Sequence, residues 1–384
     1  MKQFSDISAA IEKRKNDQLL RSRVQLHSAQ GIRVVIDGQP MLSFCSNDYL
    51  GLANHPLVCE AMIASIKKVG VGAGASHLID GHHREHEQLE QELAAFMVRE
   101  RALLFSTGYM ANLGVIAALM TRHDTIIQDK LNHASLIDGG ILSQARSLRY
   151  RHNDLEHLEQ CLASATSKKL VVTDGVFSMD GDCAPLTDIA QLCSQYGAWL
   201  MVDDAHGLGT LGDNGAGLVS QLGLDSKAVP LVIGTLGKAF GTSGAFVAGD
   251  ATTIEYILQY SRPYTYTTAS PPSVAAATRE SLKLVINGQD RRAQLNQNIA
   301  YFRAKISSLG FELMSSSTAI QPVLVGANER ALQLSKQLKE QGILVSAIRP
   351  PTVPKGTARL RFTLSADHTQ ADIDELYDAL RLVV

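Results

Sequence analysis

The 384-residue sequence has only five cysteines and no C-x-x-C pair. An odd number of scattered cysteines argues against a disulfide framework, and the missing pairs argue against a zinc ribbon. Because this cysteine usage fits a reducing compartment, we expect a cytoplasmic protein.

The sequence also lacks a large excess of charge of either sign, since it has 36 basic and 38 acidic side chains and a net charge of −2. A chain of this kind has no basic field that could hold a phosphate backbone by counterion release. We therefore expect small-molecule ligands and no nucleic acid.

Long uninterrupted apolar runs are missing from the sequence as well. The longest uncharged stretch, 102–121, contains Ser106, Asn112 and Gly114, which break it as a lipid-facing span. Residues 1–23 mix charges of both signs with apolar residues at helical spacing, which is unlike a secretory signal or a transit peptide. The sequence predicts a first helix that includes Arg21, no export signal and no membrane partner.

Short β-rich runs alternate with helical segments between residues 102 and 248. The β-rich runs are ALLF, TIIQ, LVVTDGVF, WLMVDD, PLVIGT and GAFVAG. This alternation predicts an α/β protein with a mainly parallel sheet. The runs are continuously apolar because crossover helices cover both faces of such a sheet.

Two further regions flank the predicted sheet. Apolar runs surround the turn at residues 37–40, so residues 1–45 should form an arm of one helix and a hairpin. After residue 285 the pattern predicts a helix over 291–309, two strands, a helix, two more strands and a last helix from about residue 370. We therefore expect a large domain at 46–285 and a smaller α+β domain at 286–384.

Polar side chains gather where the predicted strands end, which is where open parallel sheets bind ligands. Asp203 is delivered to a strand end by four apolar residues, and Lys238 lies in a glycine-rich loop after the next strand. A carboxylate buried there without a partner would be costly, so it should meet a cation. The other candidates at strand ends are Gly108, Tyr109, His133, Ser178, His206 and Thr235.

Nucleotide-binding motifs do not account for these groups. A P-loop would need a glycine where Val232 stands and a hydroxyl where Ala239 stands. The glycine-rich run 70–74 lacks the preceding strand and the last glycine of a dinucleotide loop.

Residues 82–86, HHREH, fit the zinc-binding pattern H-x-x-E-H. Gly81 immediately precedes the match, and the charged run that follows is typical of a solvated helix start, whereas a zinc peptidase needs a core helix. We therefore expect no metal ion.

One cofactor, pyridoxal 5′-phosphate (PLP), uses the strand-end groups together. Lys238 would bind it covalently, and Asp203 would keep its pyridine nitrogen protonated so that the ring can accept electrons. Gly108 and Tyr109 would present N–H groups to the phosphate, to which Thr235 would add a hydroxyl. The remaining groups complete the site, because His133 would lie flat on the ring while His206 and Ser178 would bind its phenolic oxygen.

The runs 203–207, DDAHG, and 234–238, GTLGK, resemble those of the α-oxoamine synthases, which are fold-type I PLP-dependent transferases. The resemblance covers nearly the whole chain. Segments 46–52, 175–182 and 347–354 resemble the members of this family that use L-alanine. The last segment discriminates best, since members with other substrates usually differ before Thr352.

This resemblance implies a decarboxylative condensation of L-alanine with a pimeloyl thioester, on coenzyme A or acyl carrier protein, in biotin biosynthesis. Lys238, Asp203 and His133 would be the catalytic residues. A related synthase that uses glycine or serine, of the 2-amino-3-ketobutyrate ligase type, is the alternative within the family. A lyase or an aminotransferase with the same fold is the alternative outside it.

The resemblance also implies substrate contacts and a partner. Arg361 and Asn47 would bind the carboxylate of the amino acid, whereas Arg21 and Thr352 would contact the acyl substrate. Family members are homodimers with active sites at the interface. Thr267 and Thr268 would reach the phosphate of the cofactor that the partner subunit binds.

Overall fold

The structure is a computed structural model and describes residues 5–17 and 19–383. Its strands are β1 Arg33–Ile36, β2 Gln39–Ser43, β3 Arg101–Phe105, β4 Thr125–Asp129, β5 Arg146–Tyr150, β6 Lys169–Asp174, β7 Trp199–Asp203, β8 Leu231–Thr235, β9 Ala245–Gly249, β10 Glu312–Leu313, β11 Ile320–Gly326, β12 Ile343–Leu344, β13 Ser346–Ile348 and β14 Ala358–Thr363. A short π-helical turn covers His77–Gly81.

The helices are α1 Ser5–Asn16, α2 Pro56–Val69, α3 Arg84–Phe96, α4 Gly108–Leu119, α5 Ala134–Ser143, α6 Leu155–Ser164, α7 Leu186–Gln195, α8 Gly217–Gln221, α9 Ala251–Tyr260, α10 Arg262–Thr265, α11 Pro272–Ile286, α12 Gln289–Ser307, α13 Asn328–Glu340 and α14 Gln370–Val383.

A seven-stranded sheet in the order β3-β9-β8-β7-β6-β4-β5 forms the centre of the fold. Neighbouring strands run parallel except at β9, which is antiparallel to both β3 and β8. The predicted α/β class and mainly parallel sheet are confirmed. Because β6 and β7 are in register, Asp174 lies directly opposite Asp203 at the carboxyl edge of the sheet.

Both faces of this sheet are buried, which explains the apolar strand sequences. Leu170 and Val172 of β6 face one hydrophobic cluster, whereas Val171 between them faces the other. In β7, Leu200 and Val202 share the cluster of Val171. The side chain that ends each strand is therefore delivered to a fixed point by packing on both sides.

Two details of the sheet differ from the prediction. Strand β5 was not predicted, because it is an edge strand whose polar sequence RSLRY is largely exposed. Strand β6 ends at Asp174 and does not continue to Phe177. Beyond it the chain folds back on itself, since the Ala184 N–H donates to the Gly175 carbonyl and the Phe177 N–H donates to the Asp182 carbonyl.

The amino-terminal region contains the predicted hairpin, in which β1 and β2 pair antiparallel. β12, from the carboxyl-terminal part of the chain, extends this hairpin into a three-stranded sheet through the pair Ile343↔Leu42. The first helix ends at Asn16, so the expectation that Arg21 lies in it is wrong. Residues 6–17 are all exposed, and a helix without a buried face has no packing to extend it.

The carboxyl-terminal region is α+β, as predicted, with a second sheet in the order β10-β11-β14-β13. Its long helix α12 begins and ends two residues before the predicted bounds. Three strands follow α13, one more than expected, because the short β12 joins the hairpin instead of this sheet. The proposed boundaries at residues 45 and 285 stay a prediction.

The loop of residues 175–184, which follows β6, packs against the second sheet. Arg359 on β14 forms an ion pair with Asp180, and the Gly181 carbonyl accepts hydrogen bonds from the hydroxyls of Ser316 and Thr318. These contacts fix β14 against the carboxyl edge of the central sheet.

His152 holds the same loop from the other side. Its Nδ1 lies 3.0 Å from Asp129 Oδ1 and its Nε2 lies 2.8 Å from Asp182 Oδ2. Although burial opposes the charged ring, hydrogen bonds and the charges of the two carboxylates raise the pKa of His152 to about 10. The imidazole is therefore cationic at neutral pH.

Among the described residues, none of the helices has the length and apolar character needed to cross a membrane.

The charged bridge at His152 predicts a pH-dependent contribution to stability. A raised pKa stabilises the fold fully below the ordinary histidine pKa of about 6.5, and this stabilisation is lost as the pH rises through about 10. At pH 7 we expect H152Q to lower the melting temperature by roughly 2–4 °C. The variant should also lose less stability than the wild type as the pH rises towards 10. Scanning calorimetry from neutral to alkaline pH, with the surface variant H123Q as control, measures both. Equal melting profiles for H152Q and H123Q would refute the bridge.

Candidate active site

Lys238 lies in the loop after β8, with its Nζ 2.7 Å from His206 Nε2. Burial lowers the pKa of Lys238 to about 8, although the charges of Asp203 and Asp174 oppose this effect. A lysine with such a pKa carries an appreciable neutral fraction near neutral pH and can act as a nucleophile or a base.

Asp203 ends β7 and is buried. Its Oδ2 accepts a hydrogen bond from Asn112 Nδ2 at 2.6 Å, and its Oδ1 accepts one from the Ala205 N–H at 3.1 Å. A carboxylate held in this way keeps lone pairs free for a cationic partner. This suits the predicted contact with a protonated ring nitrogen.

A second carboxylate, Asp174, lies beside Asp203 in the sheet register. Burial, together with the charge of Asp203, raises the pKa of Asp174 well above its ordinary value. Its Oδ2 accepts a hydrogen bond from the backbone N–H of His133 at 2.6 Å. The sequence analysis missed this residue, although it ends an apolar strand just as Asp203 does.

His133 is the N-cap residue of α5, and its ring Nδ1 accepts a hydrogen bond from the Ser135 N–H. The Ser135 hydroxyl lies 2.7 Å from the same nitrogen. Desolvation lowers the pKa of His133, which favours a neutral ring at neutral pH. The ring of Tyr109 stands edge-on to it, with centroids 6.3 Å apart.

The first turn of α4 has the features of an anion site. Its backbone N–H groups at Gly108 and Tyr109 have no acceptor within the helix, and the Thr107 side chain caps the Met110 N–H at 3.1 Å. A Cβ at position 108 would stand 4.0 Å from Thr235 Oγ1. The helix start and Thr235 therefore flank one gap, which fits a phosphate group.

Arg361 on β14 is buried, and its Nε donates to the Ser178 carbonyl at 2.6 Å. Its Nη1 donates to Thr363 Oγ1 and its Nη2 donates to Asn47 Oδ1 at 3.3 Å. The predicted pair of Arg361 and Asn47 is thus brought together. Ser178 contributes its main-chain carbonyl here, while the predicted role of its hydroxyl stays a prediction.

Tyr49 connects this arginine to the lysine, and the sequence analysis did not single it out. Its hydroxyl lies 2.6 Å from His206 Nδ1 and donates to Asn47 Oδ1 at 3.2 Å. Burial raises the pKa of Tyr49 to about 12, so it remains a neutral phenol. Burial and the charge of Lys238 hold the pKa of His206 well below its ordinary value. An unbroken polar network therefore extends from Arg361 to Lys238.

Arg21 and Thr352 line one cavity of about 270 Å³. Arg14, Leu19 and the segment 347–351 complete its wall. The structure thus brings together the two residues predicted to contact the acyl substrate, although they are 331 positions apart in the sequence.

Thr267 and Thr268 lie elsewhere, in a small cavity beside Ser106 and His77. Thr268 also forms a β-bridge with Ser76. No contact within the described part of the chain joins these threonines to Lys238. Their predicted contact with the partner subunit's cofactor stays a prediction.

The zinc motif at residues 82–86 is not the solvated helix start that we expected. His86 is fully buried, and ring nitrogens of His77, His82 and His86 come within 4.8 Å of one another. The His86 ring accepts the His83 N–H at Nδ1 and lies 2.8 Å from the Ser270 carbonyl at Nε2. Since both nitrogens are engaged, His86 cannot ligate a metal without losing one of these bonds.

Comparisons with known proteins agree with this geometry. Residues 39–380 match the model of the family Aminotransferase class I and II. The 8-amino-7-oxononanoate synthase of Pseudomonas entomophila (strain L48) is 57% identical over 98% of this chain and 96% of its own. A solved serine palmitoyltransferase from S. paucimobilis with bound PLP-myriocin aldimine has a TM-score of 0.93 at 31% identity, over 99% of this chain and 97% of that one. The solved 8-amino-7-oxononanoate synthase from Francisella tularensis has a TM-score of 0.79 at 34% identity, over 89% of this chain and 97% of that one.

The fold and the site define a PLP-dependent transferase of fold type I. The strand-end lysine, the buried aspartate and the anion site at α4 fit this cofactor. Within that class, the chain belongs to the family of the 8-amino-7-oxononanoate synthases, which are acyltransferases of biotin biosynthesis. The family resemblance found in the sequence is confirmed.

The lowered pKa of Lys238 predicts how the apoprotein captures PLP. The rate of covalent capture should rise with pH and level off above about 8, because only the neutral amine attacks the aldehyde. In D203N the opposing carboxylate charge is gone, so the midpoint should move to lower pH. Stopped-flow absorbance across this range measures both midpoints, and K238A should show no covalent capture. A wild-type midpoint near the ordinary lysine value of about 10.4 would contradict the assignment.

Proposed function

We propose that this protein condenses L-alanine with a pimeloyl thioester and releases carbon dioxide and the thiol carrier. The product is 8-amino-7-oxononanoate, and the carrier is coenzyme A or acyl carrier protein. The proposed catalytic residues are Lys238, Asp203 and His133. The names of the relatives support the product, and the side chains around Lys238 support the substrates.

The observation that carries this proposal is the buried guanidinium of Arg361 beside Lys238. Three of its five N–H groups donate to Ser178, Thr363 and Asn47, and the guanidinium also interacts with the Tyr49 hydroxyl, so its donors are not all used and a ligand can be bound. Its positive charge is close enough to disfavour the charged form of Lys238. An α-amino acid whose nitrogen approaches Lys238 would therefore find its carboxylate bound by Arg361.

When bound, PLP supplies an electron-poor ring that acidifies the Cα–H of the amino acid. Asp203 keeps a positive charge on the ring nitrogen, since its own carboxylate is fixed by Asn112 and Ala205. Lys238 takes the Cα proton at its Nζ, for which a pKa of about 8 is well suited. His133 faces the open side of the site and donates a hydrogen bond to the acyl oxygen as negative charge develops there.

The acyl chain would extend into the cavity lined by Arg21 and Thr352. Three arginines in its wall, Arg14, Arg21 and Arg349, give this cavity a positive lining that suits the distal carboxylate of pimelate. We assign that contact to Arg21.

We further propose a cytoplasmic homodimer in which Thr267 and Thr268 reach the cofactor of the partner subunit. Two large apolar side chains near them support this arrangement, because Tyr266 is 72% exposed and Ile79 is 77% exposed. Such side chains gain from burial against a second copy. The large domain of residues 46–285 would then carry most of the interface.

The proposed reaction predicts that free thiol appears from pimeloyl-CoA only when L-alanine is present. Glycine and L-serine should support much slower thiol release, which distinguishes this reaction from that of the related synthases. A thiol assay with each amino acid, and mass spectrometry of the product, measure this. Equal or faster release with glycine or serine would overturn the assignment of alanine.

Two substitutions should separate the substrates. R361K should raise the KM for L-alanine roughly 10- to 100-fold, equivalent to about 1.4–2.8 kcal/mol, because lysine cannot reproduce the bidentate contact. R21Q should raise the KM for pimeloyl-CoA and leave the KM for alanine unchanged. Each variant is the control for the other, and steady-state kinetics measures both. The proposal fails if R361K changes only the acyl KM.

A further inference from the structure

A short polar chain joins the group expected at the nitrogen of the cofactor ring, Asp203, to the group expected on the face of the ring, His133. Asn112, on α4, donates from Nδ2 to Asp203 Oδ2 at 2.6 Å and to Ser135 Oγ at 2.8 Å. Ser135 Oγ in turn lies 2.7 Å from His133 Nδ1. Asn112 and Ser135 are almost completely buried, at 1% and 0% exposure.

The orientation of the Asn112 amide follows from its neighbours. Turning it over would place its Oδ1 against the carboxylate of Asp203, so that two acceptors would face each other without a proton between them. The NH₂ group must therefore face Asp203 and Ser135, and both of its protons are used. The amide oxygen is left buried and without a hydrogen-bond partner in the described part of the chain.

The proton positions further along the chain are then determined. The backbone N–H of Ser135 points at His133 Nδ1 at 3.3 Å, a long contact that favours a lone pair on that nitrogen. The Ser135 hydroxyl accepts from Asn112 and so donates its own proton to the same nitrogen. Two donors converge on Nδ1, and the proton of a neutral imidazole is consequently on Nε2.

The charged groups around His133 are consistent with a neutral ring. Asp203 and Asp138 favour the charged imidazole, whereas Lys238 and desolvation disfavour it. Oδ2 of Asp174 accepts its hydrogen bond from the backbone N–H of His133 and not from the ring.

We propose that Asn112 and Ser135 are positioning residues that hold His133 as the neutral tautomer protonated on Nε2. Nε2 lies on the side of the ring away from Ser135, where His133 is exposed to the site. The same amide that orients Asp203 thereby makes His133 a hydrogen-bond donor instead of a base. The part of this inference that concerns the acyl oxygen rests on the proposed function, whereas the tautomer itself does not.

The tautomer can be measured directly on the PLP-loaded protein. Long-range ¹H–¹⁵N correlation spectra of protein labelled with ¹⁵N-histidine distinguish a protonated from an unprotonated ring nitrogen, and H133F identifies the His133 signals. In the wild type we expect protonated Nε2 and unprotonated Nδ1. A wild-type spectrum with the proton on Nδ1 would overturn the proposal without any variant having to fold.

The variant S135A removes the hydroxyl link and keeps the bond between Asn112 and Asp203. Only the long backbone contact then favours a lone pair on Nδ1, so we expect His133 to become a mixture of tautomers and kcat/KM to fall roughly two- to tenfold, since a donor to the developing oxyanion is present only part of the time. The affinity for PLP should change less than about twofold, because Asp203 keeps its donors. The control is S143A, which removes another buried hydroxyl from α5, one that donates to the Gly140 carbonyl and accepts from the Ala145 N–H.

The outcomes separate this inference from the proposed function. An unchanged tautomer in S135A, or an equal loss of activity in S143A, would overturn the positioning role. A tautomer on Nε2 that depends on Ser135, in a protein that releases no thiol from pimeloyl-CoA and alanine, would support the positioning role and refute the proposed substrates.

Discussion

The buried carboxylate of Asp203 at the end of β7 is the constraint on which the site depends. The three preceding residues, Leu200, Met201 and Val202, pack into the two clusters that cover the sheet, so the carboxylate cannot move out into water. Burial of such a charge is unfavourable unless donors and a cation surround it. Asn112 supplies one donor and Lys238 supplies opposite charge, and in the proposed site the protonated ring nitrogen of the cofactor would supply the remaining partner.

A second constraint is that the central sheet and the second sheet, which contains β14, must pack against each other. Arg361 lies on β14, outside the central sheet, and reaches the site only because the loop at 175–184 is held from both sides. The ion pair of Asp180 with Arg359 and the charged bridge at His152 hold this loop in place. If Arg361 binds the substrate as proposed, recognition would therefore depend on contacts between the two parts of the chain as well as on the residues that touch the ligand.

Features that depend on a local sequence pattern could be predicted from the sequence. Apolar runs that end at Asp203, or a few residues before His133 and Lys238, predicted the sheet edge and the cofactor, because a strand carries its end to a known place. Asn112 and Ser135 could not be found in this way, since each lies in a helix and is defined by partners from other strands and helices. Strand β5 was missed because an edge strand need not be apolar. Arg21 was placed in a helix because spacing alone does not show where packing ends.

The most direct test of the central claim is to map the cofactor on the protein. Borohydride reduction of the PLP-loaded protein, followed by digestion and peptide mass spectrometry, shows which lysine carries the phosphopyridoxyl group. If Asp203 and Lys238 form the two ends of one site, the group will be found on the peptide that contains Lys238, and its yield will fall sharply in D203N. A modified lysine elsewhere, or the same yield in D203N, would contradict this account.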